Sequence, residues 1–171
     1  KETKAYVQKE GVPEDQIIEA TLPKKGNCPW NYYFNRAYEE IGEGWVIMLD
    51  DDDEFKTPHA LGEIQKLTQD PEDVIFWRVL FPGGVIIPNN KHWKKDPTCG
   101  QISGIGFCFN LHWRNTLGAL WDCKCMGDYR LAKKLTENSK SIKFLDKILT
   151  GLARPNTGGH GKKDDLPSTL P

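Results

Sequence analysis

The chain reads as an α/β domain on a mostly parallel sheet flanked by helices, with one small hairpin. Three observations predict this. A strand-length apolar run, Trp45-Val46-Ile47-Met48-Leu49, follows Gly42 and Gly44 and stops at Asp50-Asp51-Asp52-Asp53-Glu54. A continuous apolar run fits a strand buried on both faces, as in parallel sheets. Before it, residues 31–41 carry Tyr33, Phe34, Ala37, Tyr38 and Ile41 at helical spacing. Before that helix stands a short strand candidate, Ile17-Ile18-Glu19-Ala20, so the order is strand–helix–strand, which favours parallel pairing. In such sheets ligands bind just outside the carboxyl ends of the strands, where the acids stand.

The other elements follow in order. Residues 1–10 form a short helical remnant closed by Gly11 and Pro13, and residues 23–29 form a loop with Lys24, Lys25 and Gly26. A helix over 58–68 has Pro58 in its first turn and Leu61, Ile64 and Leu67 as its buried stripe. Val74 to Phe81 is a strong strand, Pro82-Gly83-Gly84 a turn, and Val85-Ile86-Ile87 the partner strand. Residues 88–100 are polar and form a loop near the ligand. A glycine-opened strand runs over 102–110, a short helix or loop over 113–120, a helix over 127–137 and a last strand over 142–149. From Thr150 to Pro171 the composition is that of a surface loop or tail. No internal repeat is visible.

The totals narrow the classes. The 171 residues suffice for one domain, expected over 1–171. Lys plus Arg total 23 and Asp plus Glu total 24, so bulk charge does not point to nucleic acid or to a membrane surface. There is no bilayer-length apolar run and no signal peptide, which predicts a cytoplasmic protein, with a peripheral membrane position as the alternative. The first residue is Lys1, and the chain is expected to be a fragment or to lack its natural start. The five cysteines are odd in number and scattered, and reduced thiols account for them; Cys123-Lys124-Cys125 has no second pair at zinc-site spacing. The six tryptophans divide between core and flat ligand walls, with Trp30, Trp93 and Trp121 open to either reading, as is Tyr32.

Five adjacent acids repel one another unless they are solvated or joined by a cation. Both readings fit the residues. Hard oxygen ligands suit Mg²⁺, Mn²⁺ or Ca²⁺. If the pleat continues, Asp50 and Asp52 point to one side and Asp51 and Asp53 to the other, so one alternate pair grips one ion. An EF-hand loop is excluded, because Thr57 stands where the sharp turn needs glycine. Further on, Asp128 opens a helix, where the dipole favours a carboxylate whatever its role. Asn35 is placed to tie a loop to its helix. The segment Arg154-Pro-Asn-Thr-Gly-Gly-His160-Gly-Lys162-Lys163 combines cations with glycines. His160 reads either as an exposed loop histidine or as a ligand. Lys91 to Lys95 reads as a solvated face.

The ordered set resembles family 2 glycosyltransferases of the GT-A fold. Asn35-Arg36-Ala37 and Gly44-Trp-Val-Ile-Met-Leu49-Asp50-Asp51-Asp52-Asp53 are similar to the family's N-x-A and L-D-x-D-D block. Gly104-Ile-Gly-Phe-Cys-Phe and Gly127-Asp128-Tyr129-Arg130-Leu131 are similar to its glycine-led strand and its E-D-x-x-L helix start. The likeness runs from Asn31 to Leu135 and extends to small viral or environmental members. It implies a GT-A (Rossmann-like) fold and inverting transfer from a nucleotide-sugar, UDP-linked, to an acceptor hydroxyl on a saccharide or other molecule. Asp50 and Asp52 match the motif that holds Mn²⁺ or Mg²⁺ with the donor diphosphate, and Asp51 belongs to the same donor-binding block. Asp128 matches the base. His160 resembles an added metal ligand, and Arg154 and Lys162 are expected to hold phosphates. Two departures stand out. Gly127 replaces the family's Glu, and the family's first strand–helix–strand unit is expected to precede Lys1. Two rivals remain: a non-catalytic carbohydrate- or metal-binding domain of the same fold, and a phosphoryl hydrolase using the carboxylates with two metals. A P-loop enzyme is excluded by the lack of its phosphate-cradling motif.

Overall fold

A computed structural model describes residues 13–17, 29–50, 52–122 and 124–152. The elements expected over 1–10 and 18–20 lie outside the described residues, as does most of the 23–29 loop. Among the described residues there are four α-helices: α1 (Pro29–Ile41), α2 (Ala60–Gln65), α3 (Trp113–Leu117) and α4 (Gly127–Asn138). The strands are β1 (Trp45–Ile47), β2 (Asp53–Phe55), β3 (Asp73–Phe81), β4 (Val85–Ile87), β5 (Phe107–Asn110) and β6 (Ser141–Leu152).

The fold is α/β, and its sheet is mixed. The order is β1-β5-β3-β6-β2, with β4 paired to β3. Only β3 and β6 pair in parallel; the other pairings are antiparallel. The expectation of a mostly parallel sheet is corrected accordingly. The reason is β5, which inserts in reverse between β1 and β3. Two reversals restore direction, so β1, β3 and β6 all run the same way.

The pleat of β3 sorts its side chains onto two cores. Val74 and Phe76 pack with Phe107, Phe109, Tyr38 and the α4 residues Leu131, Ala132 and Leu135 on one face. Ile75 and Trp77 pack with Cys108, Leu149, Ala60 and Ile64 of α2 on the other. Helices therefore cover both faces, and β3 is apolar on both, as its continuous run requires. The Pro82–Gly84 turn and β4 make the expected hairpin.

Four elements differ from expectation, the first being β2, since Asp53-Glu54-Phe55 was expected only as part of the acidic block. Helix α2 is shorter than 58–68, and its buried residues are Ala60 and Ile64, while Leu61 is exposed. Gly104 to Gly106 form a 3₁₀ turn ahead of β5. Strand β6 continues through Leu152, so Thr150 to Leu152 belong to the sheet and not to the tail. Pairing explains the extension: Thr150 and Gly151 lie opposite Val79 and Leu80, and β2 covers the other side. Gly151 suits this place, because a Cβ there would stand 2.5 Å from the Leu80 carbonyl oxygen.

Candidate functional site

Strand β1 stops where its ladder with β5 stops, at Ile47 opposite Cys108. The chain then turns. The Asp53 N–H donates to the Asp50 carbonyl at 3.1 Å, and the Asp50 N–H donates to Asp53 Oδ2 at 3.0 Å. A short acidic side chain bonded to nearby backbone is ordinary turn chemistry. Inside this turn, oxygens of Asp50, Asp52 and Asp53 lie within 4.8 Å of one another. The expected alternation is corrected here: the pleat ends before the acids, and Asp53 joins Asp50 and Asp52 instead of facing away. Such a trio of oxygens could hold one hard divalent cation. Asp51 lies outside the described residues.

Asp128 sits in the first turn of α4. Its carboxylate accepts the Tyr129 N–H at 2.8 Å and also the Gly104 N–H. Burial pushes this carboxyl above the ordinary aspartate range; those N–H groups and the charge of Arg130 only partly offset it. Gly104 links the two acidic places. A Cβ on it would lie 2.8 Å from Met48 Cε and 3.9 Å from Asp128 Cβ. Met48 is two residues before Asp50. The fold thus brings Asp128 and the start of the acidic turn to the same end of the sheet, where Asp128 and Met48 both approach Gly104.

The start of α4 is unusual. Met126, its N-cap, has φ 61°, in the left-handed region that non-glycine residues rarely adopt. The segment before it is held from α1, where Asn31 and Asn35 bond to backbone at 121–124. Asn35 does tie a loop to its helix, as expected; Asn31 was not anticipated, although two Asn four residues apart beside Phe34 and Tyr38 are a legible signal. The polar loop after β4 reaches the same place, with Cys99 Sγ 3.1 Å from Met126 Sδ. Lys91, Lys94 and Lys95 on it are exposed.

Arg154, His160 and Lys162 lie outside the described residues, as do Cys123 and the Trp30 side chain. The chain leaves β6 at Leu152, which pairs with Asp53 of the acidic turn. Of the aromatic candidates, Trp121 is core, and Trp93 packs edge-on against Phe144 with Arg78 over its ring. The Cys99 and Cys125 thiols are exposed, and the Cys108 thiol is buried. Among the described residues no helix is long and apolar enough to cross a membrane. No protein-family model, curated protein or solved structure matches the chain.

Proposed function

We propose that the chain is an inverting, metal-dependent glycosyltransferase of GT-A type, which moves a sugar from a UDP-sugar to an acceptor hydroxyl. One observation carries this reading: Asp128 and Met48, the residue two before Asp50 of the acidic turn, meet at Gly104, at the same end of the sheet. The common direction of β1, β3 and β6 supports the GT-A assignment, because it makes that end the carboxyl end of three strands.

The acidic turn would hold Mn²⁺ or Mg²⁺. When bound, the ion would neutralise charge gathering on the departing diphosphate. Asp128 takes the proton of the acceptor hydroxyl while that oxygen attacks the anomeric carbon. The bond from that carbon to the diphosphate oxygen breaks, UDP leaves, and a single displacement inverts the centre. A raised carboxyl suits this work, since it is a stronger base than an exposed aspartate. Arg154, His160 and Lys162 are proposed, on the resemblance, to add phosphate and metal contacts.

The test is calorimetric titration of UDP with and without Mn²⁺. Metal-dependent binding that Asp52→Asn removes is the expected result. Asp128→Asn should leave that binding intact and lower sugar transfer by about 100-fold or more. UDP binding indifferent to both metal and Asp52→Asn would refute the assignment. Phosphate released from simple esters, without sugar transfer, would favour the hydrolase.

A further inference from the structure

Helix α1 presents Asn31, Asn35 and Tyr38 on one face, four and three residues apart. Asn31 is 2% exposed, and its Nδ2 donates to the carbonyls of Asp122 at 2.6 Å and Lys124 at 3.2 Å. Asn35 pairs with the peptide of Trp121 at two points: its Nδ2 donates to the carbonyl at 2.7 Å, and its Oδ1 accepts the N–H at 3.0 Å. The Trp121 indole N–H donates to the Tyr38 hydroxyl at 3.3 Å. From the other side Arg130 of α4 grips the Asp122 carboxylate through Nε at 2.6 Å and Nη2 at 2.7 Å. The segment that leads into α4 is therefore fixed by side-chain amides of α1, not by a strand ladder.

The fixation reaches the residue beside Asp128. A Cβ on Gly127 would lie 2.4 Å from Asn31 Nδ2 and 3.0 Å from Trp121 Cε3. Position 127 has no room for a side chain while Asn31 holds its place. Two asparagines inside a helix cost helix propensity, and a buried amide is costly unless its bonds are made. Here their bonds set where α4 begins, and Asp128 is in its first turn.

We propose that Asn31 and Asn35 are positioning residues for Asp128, and that Gly127 is the close-contact surface through which Asn31 sets the carboxylate against the Gly104 turn. The proposal rests on the reading of Asp128 as the base, and explains how this chain does without the Glu that the resemblance places at 127. The space such a side chain would need is filled by the Asn31 amide.

The experiment is a ¹³C NMR titration of the Asp128 carboxyl in the full chain, with Asp128→Asn to assign the signal. It uses no donor, acceptor or metal. In Asn31→Ala and in Asn35→Ala the midpoint should fall from its wild-type position toward the ordinary aspartate value of about 3.9, as water reaches the carboxylate. The Trp77 indole signal, on the opposite core, should not move. An unchanged Asp128 midpoint with that Trp77 signal intact would overturn the proposal. Gly127→Ala supplies the second arm. It should shift the midpoint in the wild-type background and much less in Asn31→Ala, where the amide it would strike is gone; additive shifts would overturn the link through Gly127. With a donor and acceptor in hand, Asn35→Ala should lower kcat by about 10- to 100-fold with the donor KM within about twofold. A protein that transfers no sugar but shows the coupled titration refutes the transferase reading and leaves the positioning intact.

Discussion

Two aspartates, Asp73 buried and Asp128 half-buried, stand at opposite ends of α4, and they are treated in opposite ways. Asp73 opens β3 and is 2% exposed. It stands next to Glu72, whose carbonyl accepts the hydroxyl of Ser139 beyond the last turn of α4 at 2.8 Å. Asp128 lies in the first turn of the same helix, about 18 Å away along its axis. Burial pushes both carboxyls up. At Asp73 it is outweighed by Lys143, whose ammonium lies 2.5 Å from Oδ2, by the Asp70 N–H and by Ser141, so the carboxyl ends below its ordinary range. At Asp128 only backbone N–H groups and a more remote Arg130 oppose burial, and the carboxyl ends above it. Arg130 donates to the Asp122 carboxylate through Nε and Nη2. Burial alone thus does not mark a functional acid. What separates the two is a cation in contact, which suits a structural joint and would disable a base.

The largest test of this contrast is at the joint. Lys143→Met should strand the buried Asp73 charge and leave the Leu67 carbonyl, which accepts the same ammonium at 2.8 Å, without that donor. The expected cost is about 2–3 kcal/mol in a urea titration, discounted because Lys143 reaches solvent. The pH dependence has a definite sign. Asp73 is depressed, so its contribution is present above the unfolded value of about 3.9 and fades as pH falls through the folded one. The cost of Lys143→Met should shrink with it. A cost that stays the same from neutral to acid pH would mean that packing of the lysine stem, not the ion pair, holds this end together.

The two ends were not equally legible. Asp73 drew no notice in the sequence, because its partner Lys143 is 70 residues away and pairing of that range leaves no local pattern. Asp128 was legible by position, as an acid opening a helix after a glycine-led strand, but its bond from the Gly104 N–H was not, since only the sheet brings Gly104 near. Apart from β2, whose Asp-Glu-Phe sequence gives no apolar run, the strands were readable as apolar runs and α1 and α4 as periodic ones. Direction was not: nothing between Pro88 and Gly106 says that β5 will enter reversed, and that reversal makes the sheet mixed. The acids after β1 announced a cluster, yet its membership turned on where the ladder ends. Met48 and Leu49 continue the apolar run, but β5 pairs only as far as Ile47, so a turn rather than a pleat arranges Asp50, Asp52 and Asp53. The Asn31 tie was hidden for a related reason, since its acceptors are carbonyls 91 and 93 residues away.

The smallest effect is the sharpest, because one chemical change should have opposite signs at the two sites. Asp73→Asn removes a charge that the fold favours and should destabilise at neutral pH, with the deficit vanishing in acid. Asp128→Asn removes a charge that the fold disfavours. The amide oxygen can still accept the Tyr129 N–H, so that bond at the helix start is kept. The carboxylate's gain from the helix N-terminus is lost, but the raised carboxyl shows that burial outweighs that gain. For a raised group the favourable contribution is complete below the unfolded value of about 3.9 and is lost as pH climbs through the folded one. Asp128→Asn should therefore match the wild type near pH 3 and exceed it at pH 7, by an amount on the order of 1 kcal/mol or less, as when a functional compromise is relieved. Thermal unfolding of the three proteins across that range reads both signs at once. If Asp128→Asn were instead destabilising at neutral pH, its charge would be working as a structural joint like that of Asp73, and the assignment of Asp128 as the base would lose its physical ground.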